Sequence, residues 1–203
     1  MLIAGGPTAL LTAAEGAEDR DDDGAAAVAS AGIGPCDVLI GIAASGTTRY
    51  TIACVSAARA AGALTIGVAN SPGAPLLAAA DHPVLLATAP EPIAGSTRLG
   101  AGTAQKVALN LISTQLMLRL GRVYRGRMVE MRPTNAKLRR RAVGIVATLA
   151  AATESDAEKA LAAADDSIKL AVLTLRGQTR AQAEAALRAH GGRLRPLLDP
   201  GAG

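Results

Sequence analysis

Three short apolar runs stand out in the first half of the chain: Val38–Ala43, Ala63–Ala69 and Pro83–Thr88. They are nearly continuous rather than alternating, as strands buried on both faces of a parallel sheet are. Between the first two, Ile52, Val55 and Ala58 recur at helical spacing, so the pattern predicts a helix over Thr47–Ala61. Ser71-Pro72-Gly73 marks a turn, and Pro75–Asp81 has room for a short helix. Strand, helix, strand, helix, strand at this spacing argues for a parallel α/β sheet. After a loop over Ala89–Leu99, a long apolar segment runs over Thr103–Leu120. It ends at Gly121, a natural C′ position.

The pattern changes near Asn135. Asn135–Leu149, Asp156–Ala163, Ser167–Leu175 and Arg180–His190 read as helices, with breaks at Gly177 and Gly191-Gly192. Ser155, Ser167 and Thr179 are the expected N-caps. No strand signal intervenes. The expected organisation is an α/β part over 1–134 and a small all-helical part over 135–203, with no fixed-period repeat.

Composition sets the material of the core. Half of the 203 residues are apolar, yet there is no Trp or Phe and only two Tyr, Tyr50 and Tyr124; 47 residues are Ala. The core must therefore be built from Ala, Leu, Val and Ile. An aromatic platform for stacking single-stranded nucleic acid is nearly excluded. A positive mean hydropathy and 19% charged residues argue against disorder. Cys36 and Cys54 are too few for a disulfide framework or a four-ligand zinc site, and His82 and His190 add little. The N-terminal stretch lacks a basic region and turns acidic within about twenty residues, unlike a signal peptide. Val107–Leu118 is the most apolar segment, and Asn110, Ser113, Thr114 and Gln115 interrupt it. The expectation is a cytoplasmic chain with no membrane span.

The net charge of +4 is unevenly placed. Residues 119–141 hold nine Lys/Arg against Glu130 alone, whereas residues 1–118 hold five against nine Asp/Glu. The basic stretch reads as a solvated linker whose arginines pair with the acidic N-terminal half, as a small-anion site, or as a nucleic-acid patch. The last ranks lowest.

Three segments could carry chemistry. Leu39–Thr48 is an apolar strand running into Ser45-Gly46-Thr47-Thr48, which opens a helix. Hydroxyls and N–H groups at such a helix start can hold a phosphate, and the carboxyl end of a strand is where open α/β sheets bind ligands. Gly46 would let the backbone approach closely. There is no GK[ST], so it is not a Walker A loop. Alternatively these hydroxyls are ordinary caps. The second segment, Gly95–Lys106, holds three glycines together with Ser96, Thr97, Arg98 and Lys106 just before a helix. The third holds Glu15, Glu18, Asp19 and Asp21–Asp23, carboxylates that are either general acids and bases or a solvated acidic run.

In this order the segments resemble the N-acetylmuramic acid 6-phosphate etherase family, which carries a SIS (sugar isomerase) domain. The matching stretches are IAGG (3–6), AAEGAED (13–19), DVLIGIAASGTT (37–48), GSTRLGAGTAQK (95–106) and MRPTNAKL (131–138). The resemblance covers essentially the whole chain. It implies a flavodoxin-like three-layer α/β domain followed by the helical tail. It implies cleavage of the D-lactyl ether of N-acetylmuramic acid 6-phosphate, giving N-acetylglucosamine 6-phosphate and D-lactate, by elimination and water addition. It implies no metal or nucleotide cofactor, and a homodimer. Glu18 matches a family catalytic acid/base. Ser45, Gly46 and Thr48, with Thr47 between them, match the sugar-phosphate loop. Ser96, Thr97, Arg98 and Lys106 fall in the segment resembling the other active-site wall.

One departure is large. The family's first SIS strand and an AECPPTFG-like motif with a second catalytic glutamate have no counterpart here. The expectation is a sheet short of its first strand, an open edge, and a site with one carboxylate of two. The alternative to an etherase is then a non-catalytic sugar-phosphate-binding module.

Overall fold

In a computed structural model that describes residues 1–201, the apolar runs form a three-stranded sheet. β1 (Val38–Ile42), β2 (Leu64–Ala69) and β3 (His82–Leu85) pair in parallel in that order. α2 (Arg49–Ala60) and α3 (Pro75–Ala79) are the crossovers. Gly41 of β1 lies opposite Gly67 of β2 in the register. A Cβ at Gly41 would lie 2.4 Å from a Val55 methyl, and one at Gly67 would lie 2.6 Å from the Leu76 carbonyl. The two glycines thus form a shelf on which α2 and α3 sit directly against the backbone. The core above it is Leu39, Val55, Ala58, Ala63 and Leu76 with Tyr50 and Cys54, the aliphatic material the composition predicts.

α1 (Asp21–Ser30) has no clear sequence signal, because its acidic start and alanine run make only a weak apolar face. Packing makes it a helix. A Cβ at Gly24 would lie 2.5 Å from the Tyr50 carbonyl, and Val28 is buried in the same core. On the alternate side of the sheet Val38, Ile40 and Leu64 are exposed, and β1 is an edge strand.

The chain divides into two compact units, Met1–Asn110 and the residues from Leu111 onward. The division falls inside α4 (Gly100–Arg119), which starts three residues earlier than its apolar pattern suggests. Its C-terminus is closed as predicted: the Gly121 N–H donates to Leu118 O and the Arg122 N–H to Met117 O.

In the second unit a short hairpin, β4 (Val123–Tyr124) and β5 (Arg127–Met128), precedes α5 (Ala136–Ala150), α6 (Glu154–Ala163), α7 (Ile168–Leu175), α8 (Arg180–Ala189) and α9 (Arg195–Leu198). Tyr124 and Val129 bury into the same core as Val146, Leu161, Val172 and Leu173, so the hairpin packs with the helices. Asn135, Ser167 and Thr179 cap their helices, and Thr179 forms a capping box with Gln182. The cap of α6 is Thr153, not Ser155: its hydroxyl accepts from the Asp156 N–H, which places Ser155 inside the first turn. Two arginines of the basic stretch pair with carboxylates of this unit. Arg125 binds Asp199 at 2.6 Å and Arg139 binds Asp166 at 2.9 Å. No helix among the described residues is long and apolar enough to cross a membrane.

Candidate functional site

β1 ends at Ile42, and the chain then turns through Ala43–Thr48 before α2 begins. Gly46 makes the turn possible. Its φ is +68°, and a Cβ there would lie 2.4 Å from Ala74 Cβ and 2.8 Å from Ala69 Cβ. The Leu76 N–H donates to Gly46 O at 3.0 Å, and the Asn70 N–H donates to Ala44 O at 2.9 Å. The loop is thereby bolted to the ends of β2 and α3. Ser45 Oγ accepts from both the N–H and the hydroxyl of Thr47, at 3.2 and 3.0 Å. Thr48, the N-cap of α2, makes no side-chain capping bond, so the start of α2 is not closed by its own cap.

A cleft of about 490 Å³ opens over this turn, within the first unit. It is lined by Ile42–Ser45 with Thr48 and Thr51, by Leu2–Ala4 and Glu18, and by Gly95 and Thr97. The three segments singled out in the sequence therefore meet here. Of the residues named from sequence, Glu18, Ser45, Thr48 and Thr97 line the cleft. Gly46 and Thr47 belong to the same turn and are not among the lining residues. Ser96 and Arg98 flank Thr97, and Lys106 sits on α4; none of these three is among the lining residues.

Glu18 is presented by a short 3-10 turn, Ala17–Asp19, which Ala17 anchors by burial. The neighbouring acidic residues do other work. Asp21 binds Arg49, the first residue of α2, at 2.6 Å, and that guanidinium holds the Asp21 carboxyl below its ordinary value. Tyr50, which also lines the cleft, is pushed up by burial.

Three residues that support the cleft were not singled out in the sequence. Asn70 is buried at the end of β2; its amide donates to Leu86 O and its Oδ1 accepts from Gln105 of α4, both at 2.8 Å. Asn70 thus joins the Ser45 turn, the exit of β3 and α4 by one side chain and its backbone. Glu91 accepts from the Gly100 and Ala101 N–H groups at 2.9 and 3.1 Å. Those bonds explain the early start of α4. The sequence clue was Gln105 within GTAQK; a lone Glu between prolines gave none.

A second cavity of about 570 Å³ lies in the helical unit, lined by residues 129–134 and 165–168. Its acidic groups are committed: Asp165 binds Arg180, Asp166 binds Arg139, and Glu130 pairs with the buried Lys169. The cleft of the first unit is therefore the better candidate.

A parallel sheet with a hydroxyl-rich turn at the carboxyl end of its first strand is the architecture of the class that the family comparison identifies: residues 22–117 match the SIS domain. Relatives narrow the class. The chain is 51% identical over 201 residues to the N-acetylmuramic acid 6-phosphate etherase of Deinococcus radiodurans, covering 98% of this chain and 66% of that protein. It is 44% identical over 198 residues to the one of Streptomyces coelicolor, covering 97% and 64%. It is 43% identical over 200 residues to the one of Cronobacter sakazakii, covering 98% and 67%. The chain belongs to the N-acetylmuramic acid 6-phosphate etherase family, and it spans about two thirds of the length of these relatives.

Proposed function

We propose that the cleft binds an amino-sugar 6-phosphate and that the chain acts in the etherase reaction, converting N-acetylmuramic acid 6-phosphate to N-acetylglucosamine 6-phosphate and D-lactate. The observation that supports this most is the meeting of Glu18 with Ser45, Thr48 and Thr97 around one cleft.

The phosphate sits at the 45–48 turn. The hydroxyls of Ser45 and Thr48 and the start of α2 supply donors and a favourable dipole there, Thr47 holds Ser45 in place, and Gly46 removes the side chain that would obstruct the turn. Thr97 lines the cleft with Gly95, and Ser96, Arg98 and Lys106 lie close along the chain, the two cations adding positive potential. Glu18 is the base. In the open-chain sugar the C1 aldehyde acidifies C2–H. Glu18 takes that proton, the C2=C3 bond forms as C3–O breaks, and lactate leaves with the bonding pair and takes up a proton. Water then adds its hydroxyl to C3 while a proton returns to C2. The second catalytic glutamate that the resemblance implies belongs to an AECPPTFG-like motif, which this sequence does not contain. The step given to Glu18 can be read separately from it.

The same reading makes the protein a cytoplasmic homodimer that recycles a cell-wall sugar. Leu109, Ile112 and Leu116 are exposed at helical spacing along α4, as a helix that buries against a partner would show. The test is incubation with N-acetylmuramic acid 6-phosphate, assayed for D-lactate, beside incubation with N-acetylglucosamine 6-phosphate in D2O, assayed by NMR for deuterium at C2. The expected results are lactate release and C2 exchange, both abolished by Glu18→Gln. Neither release nor exchange by the unaltered protein overturns the reading.

A further inference from the structure

Every N–H at the start of α4 has an acceptor inside the chain. Glu91 Oε1 takes Gly100 and Ala101, Thr97 O takes Gly102 at 2.8 Å, and Leu99 O takes Thr103 at 3.3 Å. A helix start satisfied in this way offers no donor to a ligand. Backbone hydrogen bonds hold the Glu91 carboxyl below its ordinary value, so it stands there as an anion.

Helices are ordinarily capped by the residue just before them. Here that residue is Leu99, which has no acceptor in its side chain. The cap comes instead from nine residues before Gly100, so it closes the loop as well as the helix. The closed loop is the one that carries Gly95 and Thr97 into the cleft wall, and the Ser96 N–H donates to Ile93 O within it. The second carboxylate oxygen, Oε2, is buried with no partner among the described residues. A serine or asparagine at 99 would cap α4 without burying an unpaired oxygen, but it would leave the loop untied.

We propose that Glu91 is a positioning residue of the cleft. Its carboxylate occupies the anion place at the start of α4, fixes the Gly95–Leu99 wall, and leaves the start of α2 as the place for a ligand's phosphate. The proposal rests on the reading of the cleft as a sugar-phosphate site.

The experiment compares the unaltered protein with Glu91→Ala, Glu91→Gln and Ser45→Ala. One readout is amide hydrogen exchange over residues 93–103, and the other is calorimetric titration with N-acetylglucosamine 6-phosphate. Glu91→Ala is expected to lose protection at Gly100 and Ala101 and to bind about tenfold more weakly or worse. Glu91→Gln keeps an acceptor oxygen and is expected to retain most of both; it also carries the test should Glu91→Ala not fold. Ser45→Ala is expected to weaken binding with protection over 93–103 unchanged. Unaltered protection in Glu91→Ala overturns the tie between Glu91 and the helix start. Lost protection with unaltered affinity overturns the positioning role. No binding by the unaltered protein overturns the sugar-phosphate reading, and the exchange readout then still decides whether Glu91 ties the loop.

Discussion

Two helices begin beside the same cleft, and they begin differently. α2 follows a turn made of Ser45, Gly46, Thr47 and Thr48, and its N-cap makes no capping bond. α4 follows Leu99 and is closed by the chain's own carboxylate, Glu91. Both starts carry the partial positive charge that attracts anions. What separates them is whether the protein has already filled the place. Hydroxyl-rich, glycine-containing stretches precede both helices in the sequence. The internal cap separates the two starts, and the proposed reading places the phosphate at α2.

The change expected to disturb this contrast most is Gly46→Ala. The left-handed backbone and the close approach of Ala69 and Ala74 leave no room for a Cβ, so the turn has to move. Strain of this kind costs on the order of 1–3 kcal/mol. A shift of that size in urea denaturation is expected, together with loss of N-acetylglucosamine 6-phosphate binding. A Gly46→Ala protein that binds normally would break the assignment of the phosphate to the α2 start.

A smaller effect, confined to the other helix, follows from pH. The folded Glu91 carboxyl titrates below its ordinary value of 4.5. The unfolded state therefore takes up the proton first as pH falls, so the stabilisation is complete above that value and is lost through the acid range beneath it. Asp81, bound by the Thr65 N–H and hydroxyl, and Asp199, bound by Tyr124, act with the same sign, so overall stability falls in the same range. Glu91→Gln separates the local part. It should remove the acid dependence of exchange protection at Gly100 and Ala101 while the global loss remains. Equal acid dependence in both proteins would mean that the α4 start is not held by a carboxylate.

Much of the α/β architecture was legible because buried parallel strands are continuous apolar runs and their crossovers carry helical spacing. Val38–Ile42 and Leu64–Ala69 lie within a residue of the runs that predict them. The helical caps at Ser167 and Thr179 were legible because a hydroxyl before an apolar-periodic segment has a local meaning. Contacts between distant residues were not legible. α1 is a helix because Gly24 and Val28 fit against α2, which its own acidic start does not announce. The hairpin at 123–128 hides in an arginine-rich stretch with strands of two residues, one of them ending in Tyr124, buried and bonded to Asp199 far along the chain. In the candidate site, the turn at 45–48 was readable from its own residues. Asn70 and Glu91 act across 35 and nine or ten residues respectively, and no short motif records such a contact.

The most direct test of the account is calorimetric titration of the full chain with N-acetylglucosamine 6-phosphate and, in parallel, with N-acetylglucosamine. If the 45–48 turn is the phosphate place, only the phosphorylated sugar gives a saturating heat, and Ser45→Ala weakens it by about tenfold. No heat from either sugar, or equal heats from both, would contradict it.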